Sequence, residues 1–239
     1  VVGIVSLIGM SELYKVFKVE NKALGVTGYL AAIAYYAMLL LEKTEWMIPL
    51  TLLFLILVMA VYVFTYPTFT AEQVMAVFFG FFYVSVMLSY VYQTRMLAEG
   101  AVLVWLIFLS SWGCDTCAYC VGVLFGKHKM APKLSPKKSI EGGVGGILGA
   151  ALLGALFALA VNQWAGVTVN PLQYALICGV GGMISQIGDL AASGIKRNHG
   201  IKDYGKLIPG HGGILDRFDS VIITAPIIYY LSMILGGTL

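Results

Sequence analysis

Apolar runs of about twenty residues recur along this chain, and that feature restricts its fold more than any other. A helix needs about 20 apolar residues to cross roughly 30 Å of hydrocarbon. The runs 1–17, 24–41, 46–66, 74–93, 101–126, 142–164, 171–195 and 219–237 meet or approach that length. None alternates with the two-residue period of a barrel strand, so the backbone polar groups must be satisfied within helices. Of the 239 residues, 59% are hydrophobic and 11% charged, whereas ordinary soluble domains carry about 25% charged residues. The predicted fold is therefore all-α, a polytopic transmembrane helical bundle of about eight spans. Val1 stands in the middle of an apolar run, which predicts a truncated first span and nine spans in the full-length protein.

Lysines and arginines in the loops orient the spans. If eight spans alternate sides, one side receives the basic residues at 15, 18 and 22, those at 127, 129, 133, 137 and 138, and those at 196, 197, 202, 206 and 217. Only Lys43 and Arg95 of the 15 basic residues fall on the other side. The bias predicts that the basic loops 127–141 and 196–218 are cytoplasmic and that the C-terminus is outside. Residues 1–100 read as a transmembrane scaffold, and 101–239 as the region bearing the polar chemistry.

Two motifs read as packing. Cys114-x-x-Cys117-x-x-Cys120 has an iron–sulfur-like spacing, but Asp115 and Tyr119 interrupt it and no fourth ligand comes after it at suitable spacing. The stretch Gly142-Gly143-Val144-Gly145-Gly146-Ile147-Leu148-Gly149 does not fit a dinucleotide fingerprint, and no strand is predicted ahead of it. Its four-residue glycine spacing lets membrane helices approach closely.

The carboxylates carry the functional signal. All seven glutamates (12, 20, 42, 45, 72, 99 and 141) lie in loops or near span ends, but Asp115 and Asp189 lie inside spans. An ionised carboxylate there is costly unless paired, hydrated or metal-bound. Gln186, Asp189, Ser193 and Lys196 recur at intervals that place them on one helical face, and Ser111, Asp115 and Tyr119 suggest a second stripe. Asp216 and Asp219 are one turn apart where the last span begins, near the positive end of its dipole. Aspartates converging beside many lysines and arginines suggest a divalent cation holding a phosphorylated substrate, and Mg²⁺ suits that task. The alternative is that Asp115 and Asp189 each form a structural ion pair. In the last basic loop, Gly212 and Gly213 allow close backbone approach to phosphate oxygens. His211 reads equally as a phosphate donor, a metal ligand or a hinge.

The segment Ser193-x-Ile195-Lys196-Arg197-x4-Lys202-Asp203-x-Gly205-x2-Ile208-Pro209-x-His211-Gly212-Gly213-Ile214-x-Asp216-Arg217-Phe218-Asp219 resembles the signature of the phosphatidate cytidylyltransferases. Asp115-Thr116-Cys117-Ala118-Tyr119, Gly126-Lys127 and Ser135-Pro136-Lys137-Lys138-Ser139-x-Glu141-Gly142 resemble further segments of that family. Cys114 and Cys117 stand where small residues are usual. The resemblance is strong over 110–219 and generic over 1–100.

The resemblance implies an enzyme that transfers a cytidylyl group from CTP to phosphatidic acid and releases pyrophosphate. It implies Mg²⁺ dependence, with Asp189 and Asp216 holding the metal and Asp219 and Asp115 as neighbouring carboxylates; a second cation fits the same logic. Lys196, Arg197, Lys202 and Arg217 would bind the phosphates of CTP or of the lipid, with Ser193, Gly212, Gly213 and His211 lining the same substrate region. Lys137, Lys138 and Ser139 would close over the nucleotide. The expected setting is a bacterial cytoplasmic membrane, with the active site facing the cytoplasm, a homodimer and no nucleic-acid partner. The alternatives are a CTP-dependent polyprenol kinase, an archaeal-lipid cytidylyltransferase and, from another class, an ion-coupled transporter. Against the transporter, the basic residues cluster on one side and no inverted repeat is evident.

Overall fold

The computed structural model describes residues 1–164, 167–207, 210 and 212–236. Among them are eight helices: α1 (Val2–Val16), α2 (Ala23–Leu40), α3 (Thr44–Phe64), α4 (Ala71–Arg95), α5 (Gly100–Phe125), α6 (Ile140–Trp164), α7 (Pro171–Asn198) and α8 (Leu215–Gly236). The predicted spans coincide with these helices to within a few residues. Helices α2 to α8 are the seven long and apolar enough to cross a bilayer, and α1 has 15 residues. The protein is an integral membrane protein.

The chain forms two compact units: Val1–Ser89 with Asp203–Arg217, and Tyr90–Lys202 with Phe218–Leu239. In the first unit the centre is aromatic. The Tyr14 hydroxyl donates to the Val77 carbonyl at 2.7 Å, and the Phe54 and Phe81 rings pack at 4.8 Å between centroids. Between membrane helices, lipid competes with protein for apolar contact, so close packing and buried hydrogen bonds hold this core. Helix α3 buries only Phe54 and Val58, and leaves Ile48, Leu52, Leu53 and Ile56 on its surface, as a lipid-facing helix should. A capping box between Thr70 and Gln73 starts α4.

In the second unit α6 packs against α5 and α7. The glycine-rich stretch does what its spacing predicts. A Cβ on Gly145 would lie 2.6 Å from the Val121 Cβ, and one on Gly146 would lie 2.8 Å from the Ala118 Cβ. The cysteines share that seam: Cys114 is buried against Gly182, and Cys117 faces Gly149. Asn170 caps α7 by accepting from the Leu172 N–H at 2.9 Å, with Pro171 in the first turn.

Three local expectations change. Loop 127–141 contains an antiparallel hairpin, β1 (Lys129–Ala131) with β2 (Ser135–Ser139). Loop 196–218 is shorter than expected, because α7 runs on to Asn198 and α8 begins at Leu215. The Ser111–Asp115–Tyr119 stripe does not form: Ser111 is fully buried while Tyr119 is 73% exposed. A π-helical turn over Leu109–Gly113 precedes Asp115, and its wider turn rotates the rest of α5 away from a 3.6-residue register.

Candidate active site

In the second unit the polar face predicted on α7 is real and inward. Gln186 donates to the Gly143 carbonyl at 2.9 Å and so ties α7 to α6. One turn on, Asp189 forms an ion pair with Lys138, which projects from β2; each side chain is 25% exposed. Ser193 and Lys196, on the next turns of the same face, are buried, at 8% exposure each. Gly188 sets the distance between α7 and α8. A Cβ there would lie 3.0 Å from the Asp219 carbonyl, so the two backbones meet beside Asp189.

Asp219 is buried on α8 and lies in the electrostatic field of Asp189, Lys196 and Asp115. Asp115, on α5 just after the π-helical turn, interacts in turn with Lys138 and Asp189. Three carboxylates and two ammonium groups are thereby gathered in one membrane-embedded unit. Each lysine offsets the repulsion that clustered aspartates would otherwise suffer.

The hairpin that supplies Lys138 is moored at its base. Glu141, in the first turn of α6, accepts from the backbone N–H of Lys127 at 3.1 Å and of His128 at 3.2 Å, and meets the His128 Nδ1 at 2.6 Å. Ser139 is buried and its hydroxyl accepts from the Gly142 N–H at 3.2 Å, so it caps α6. Lys137 is exposed on β2. Arg197 is exposed and reaches the Leu134 and Ile201 carbonyls at 3.5 and 3.4 Å, and Lys202 is exposed on the loop beyond α7.

The family model described as the cytidylyltransferase family matches residues 1–235. This chain belongs to the cytidylyltransferase family. The phosphatidate cytidylyltransferase of Staphylococcus epidermidis is 35% identical over 233 residues, covering 95% of this chain and 86% of that protein. That of Bacillus subtilis is 35% identical over 181 residues, or 75% of this chain and 66% of that protein. That of Thermotoga maritima is 39% identical over 139 residues, or 58% and 52%. This cytidylyltransferase-family member is accordingly an enzyme, a nucleotidyltransferase in a membrane.

The first unit holds the rest of the expected residues. Asp216 Oδ2 accepts from the backbone N–H of Tyr204 at 2.8 Å and of Gly213 at 3.0 Å, folding the glycine loop back onto the start of α8. Gly212 has φ +84°, in the left-handed region, and a Cβ there would lie 2.9 Å from Asp216 Oδ2. Arg217 is exposed one residue on, its backbone N–H on the Ile214 carbonyl. His211 lies outside the described residues. Glu12 is the residue that sequence reasoning missed. Placed only near a span end, it is buried on α1, and its carboxylate accepts the N–H groups of Ile214 at 3.0 Å and Leu215 at 2.8 Å.

The donor set around Asp189 has the chemistry of a hard divalent cation's ligands: anionic, all oxygen, and already attracting an ammonium. Among the described residues, no three His, Cys, Asp or Glu groups lie close enough together to hold one ion. Lys138 rests on Asp189 as its cationic partner.

Proposed function

We propose that this enzyme transfers the cytidylyl group of CTP to phosphatidic acid, giving CDP-diacylglycerol and pyrophosphate. The observation that carries the reading is the Lys138–Asp189 pair beside Lys196 and Asp219. It is a mixed-charge site within a membrane unit, in a chain matched over most of its length by a phosphatidate cytidylyltransferase. A lipid phosphomonoester is already an anionic nucleophile. One of its oxygens forms the new bond to the α-phosphorus of CTP, the bond from that phosphorus to the β-phosphate bridge breaks, and pyrophosphate leaves with the electron pair. No covalent enzyme intermediate is required, so positioning and charge neutralisation are the protein's task.

Lys196 and Lys138 supply positive charge to phosphate oxygens, and Ser193 supplies a hydroxyl on the same face. Arg197, Lys202 and Lys137 draw the anionic nucleotide from solution. Arg217 and the N–H group of Gly212 take phosphate oxygens on the glycine-loop side, where Gly213, having no side chain, leaves room for a phosphate beside the backbone, and His211 is assigned to the same loop. Ser139 holds the start of α6 beneath the hairpin. Asp189 and Asp216 would hold Mg²⁺ together with phosphate oxygens of the substrate, with Asp219 and Asp115 as neighbouring carboxylates, and a second cation is compatible with that charge. Bound there, the cation supplies concentrated positive charge against the triphosphate. The excess of lysine and arginine in loops 127–141 and 196–218 supports a cytoplasmic-facing site in a bacterial inner membrane, and a homodimer is the expected assembly.

The purified chain in bilayers containing phosphatidic acid, given CTP labelled in the cytosine, should yield a labelled lipid and one pyrophosphate per lipid formed. Release of CDP with phosphorylation of an added polyprenol would assign a kinase instead. No labelled lipid and no CTP turnover would reject the proposal.

A further inference from the structure

Glu12 spends a buried carboxylate on two backbone N–H groups of a segment some two hundred residues away in sequence. A helix start leaves its first N–H groups without intrahelical partners, and a side chain of the preceding loop usually serves them. At the start of α8 the acceptor comes from another helix. Glu12 Oε1 takes the Ile214 N–H at 3.0 Å, and Oε2 takes the Leu215 N–H at 2.8 Å. Both bonds are charge-assisted, and the carboxylate sits at the positive end of the α8 dipole.

The surroundings are cut to fit this carboxylate. A Cβ on either Gly205 or Gly213 would collide with it, so the two glycines of the loop form the walls of its slot. Asp216 closes the other side of the same turn by holding the Tyr204 and Gly213 N–H groups. Glu12 and Asp216 thus bind consecutive backbone groups of one loop: 213 by Asp216, 214 and 215 by Glu12. Leu215 is itself buried, and its Cδ1 lies 3.8 Å from where a Cβ on Gly9 of α1 would be. Helix α1 therefore carries both the acceptor and a flat packing surface for this turn.

We infer that Glu12 is a positioning residue for the reaction, which fixes the glycine loop and the first turn of α8, and so the direction of Asp216 and Arg217. The inference rests on the proposed function for the roles of those two residues, but the hydrogen-bonding claim stands apart from it. Removing the charge while keeping the shape isolates it. In Glu12→Gln one amide oxygen still accepts, but the NH₂ group is turned against the other N–H, and two donors face each other.

The test uses the full chain in phosphatidate-containing bilayers, with wild type, Glu12→Gln and Glu12→Asp compared for CTP incorporation and for amide hydrogen exchange. A small misplacement of reacting groups costs on the order of 100-fold in rate, so kcat of Glu12→Gln should fall about 10- to 100-fold with KM for CTP little changed. Exchange should quicken at 213–216 and stay as in wild type across α2 and α3. Glu12→Asp, which keeps the charge, should recover part of kcat. Wild-type kcat in Glu12→Gln, unchanged exchange at 213–216, or faster exchange throughout the first unit would each overturn the inference. An inactive wild type with these exchange changes in Glu12→Gln would instead reject the proposed function.

Discussion

Replacing Lys138 and Asp189 singly and together tests the interaction at the centre of the proposed site. The two groups are in contact and each side chain is 25% exposed. Unit charges about 4 Å apart attract by about 4 kcal/mol at an effective dielectric of about 20. Desolvation opposes part of that, and partial exposure admits screening, so the net coupling should be about 1–2 kcal/mol, in the range found for residues in contact. Asp189→Asn removes the charge and keeps the shape, and Lys138→Met keeps most of the length. Each alone should lower kcat/KM about 100-fold, the effect of losing one preorganised electrostatic group. Independent effects would multiply to about 10,000-fold, whereas a coupling of about 1–2 kcal/mol returns about 5- to 30-fold of that. The double variant should therefore lose about 300- to 2,000-fold in kcat/KM. The assay is incorporation of labelled CTP into lipid, run beside a thermal-unfolding measurement on each variant. A double variant with the full multiplied loss, all proteins being folded, would show that the two residues act separately and would refute the reasoning.

Excess chelator should abolish CTP incorporation and added Mg²⁺ should restore it; turnover that persists in excess chelator would remove the divalent cation from the proposal. Gly145→Leu should lower the thermal-unfolding midpoint in detergent, because its Cβ would lie 2.6 Å from the Val121 Cβ and overpacking of this kind costs about 1–3 kcal/mol. An unchanged midpoint would mean that α5 and α6 do not meet at this seam.

The range of the forces involved decides which features are legible in the residues alone. Bilayer thickness acts on every span, so the helix runs and the α7 face from Gln186 to Lys196 are visible as local patterns of length and period. The hairpin is not, because Ser135–Ser139 is short, proline-containing and lysine-rich, with neither alternation nor apolar content to mark a strand. The turn before Asp115 is hidden for a different reason. A π-helical bulge changes angular register without changing composition, so a stripe drawn with a uniform period continues through a point where the helix has rotated. Glu12 is the least visible of all. Its partners are backbone N–H groups, and these carry no side-chain identity that a motif could register. A buried carboxylate with such partners looks, in one dimension, like any glutamate near the end of a span. Its cost of burial makes it informative once the fold is known, because a charge held at 9% exposure must be offset by strong hydrogen bonds. In this family member those bonds go to the turn that leads directly into Asp216, so the anchoring of that turn belongs with the chemistry proposed for Asp216.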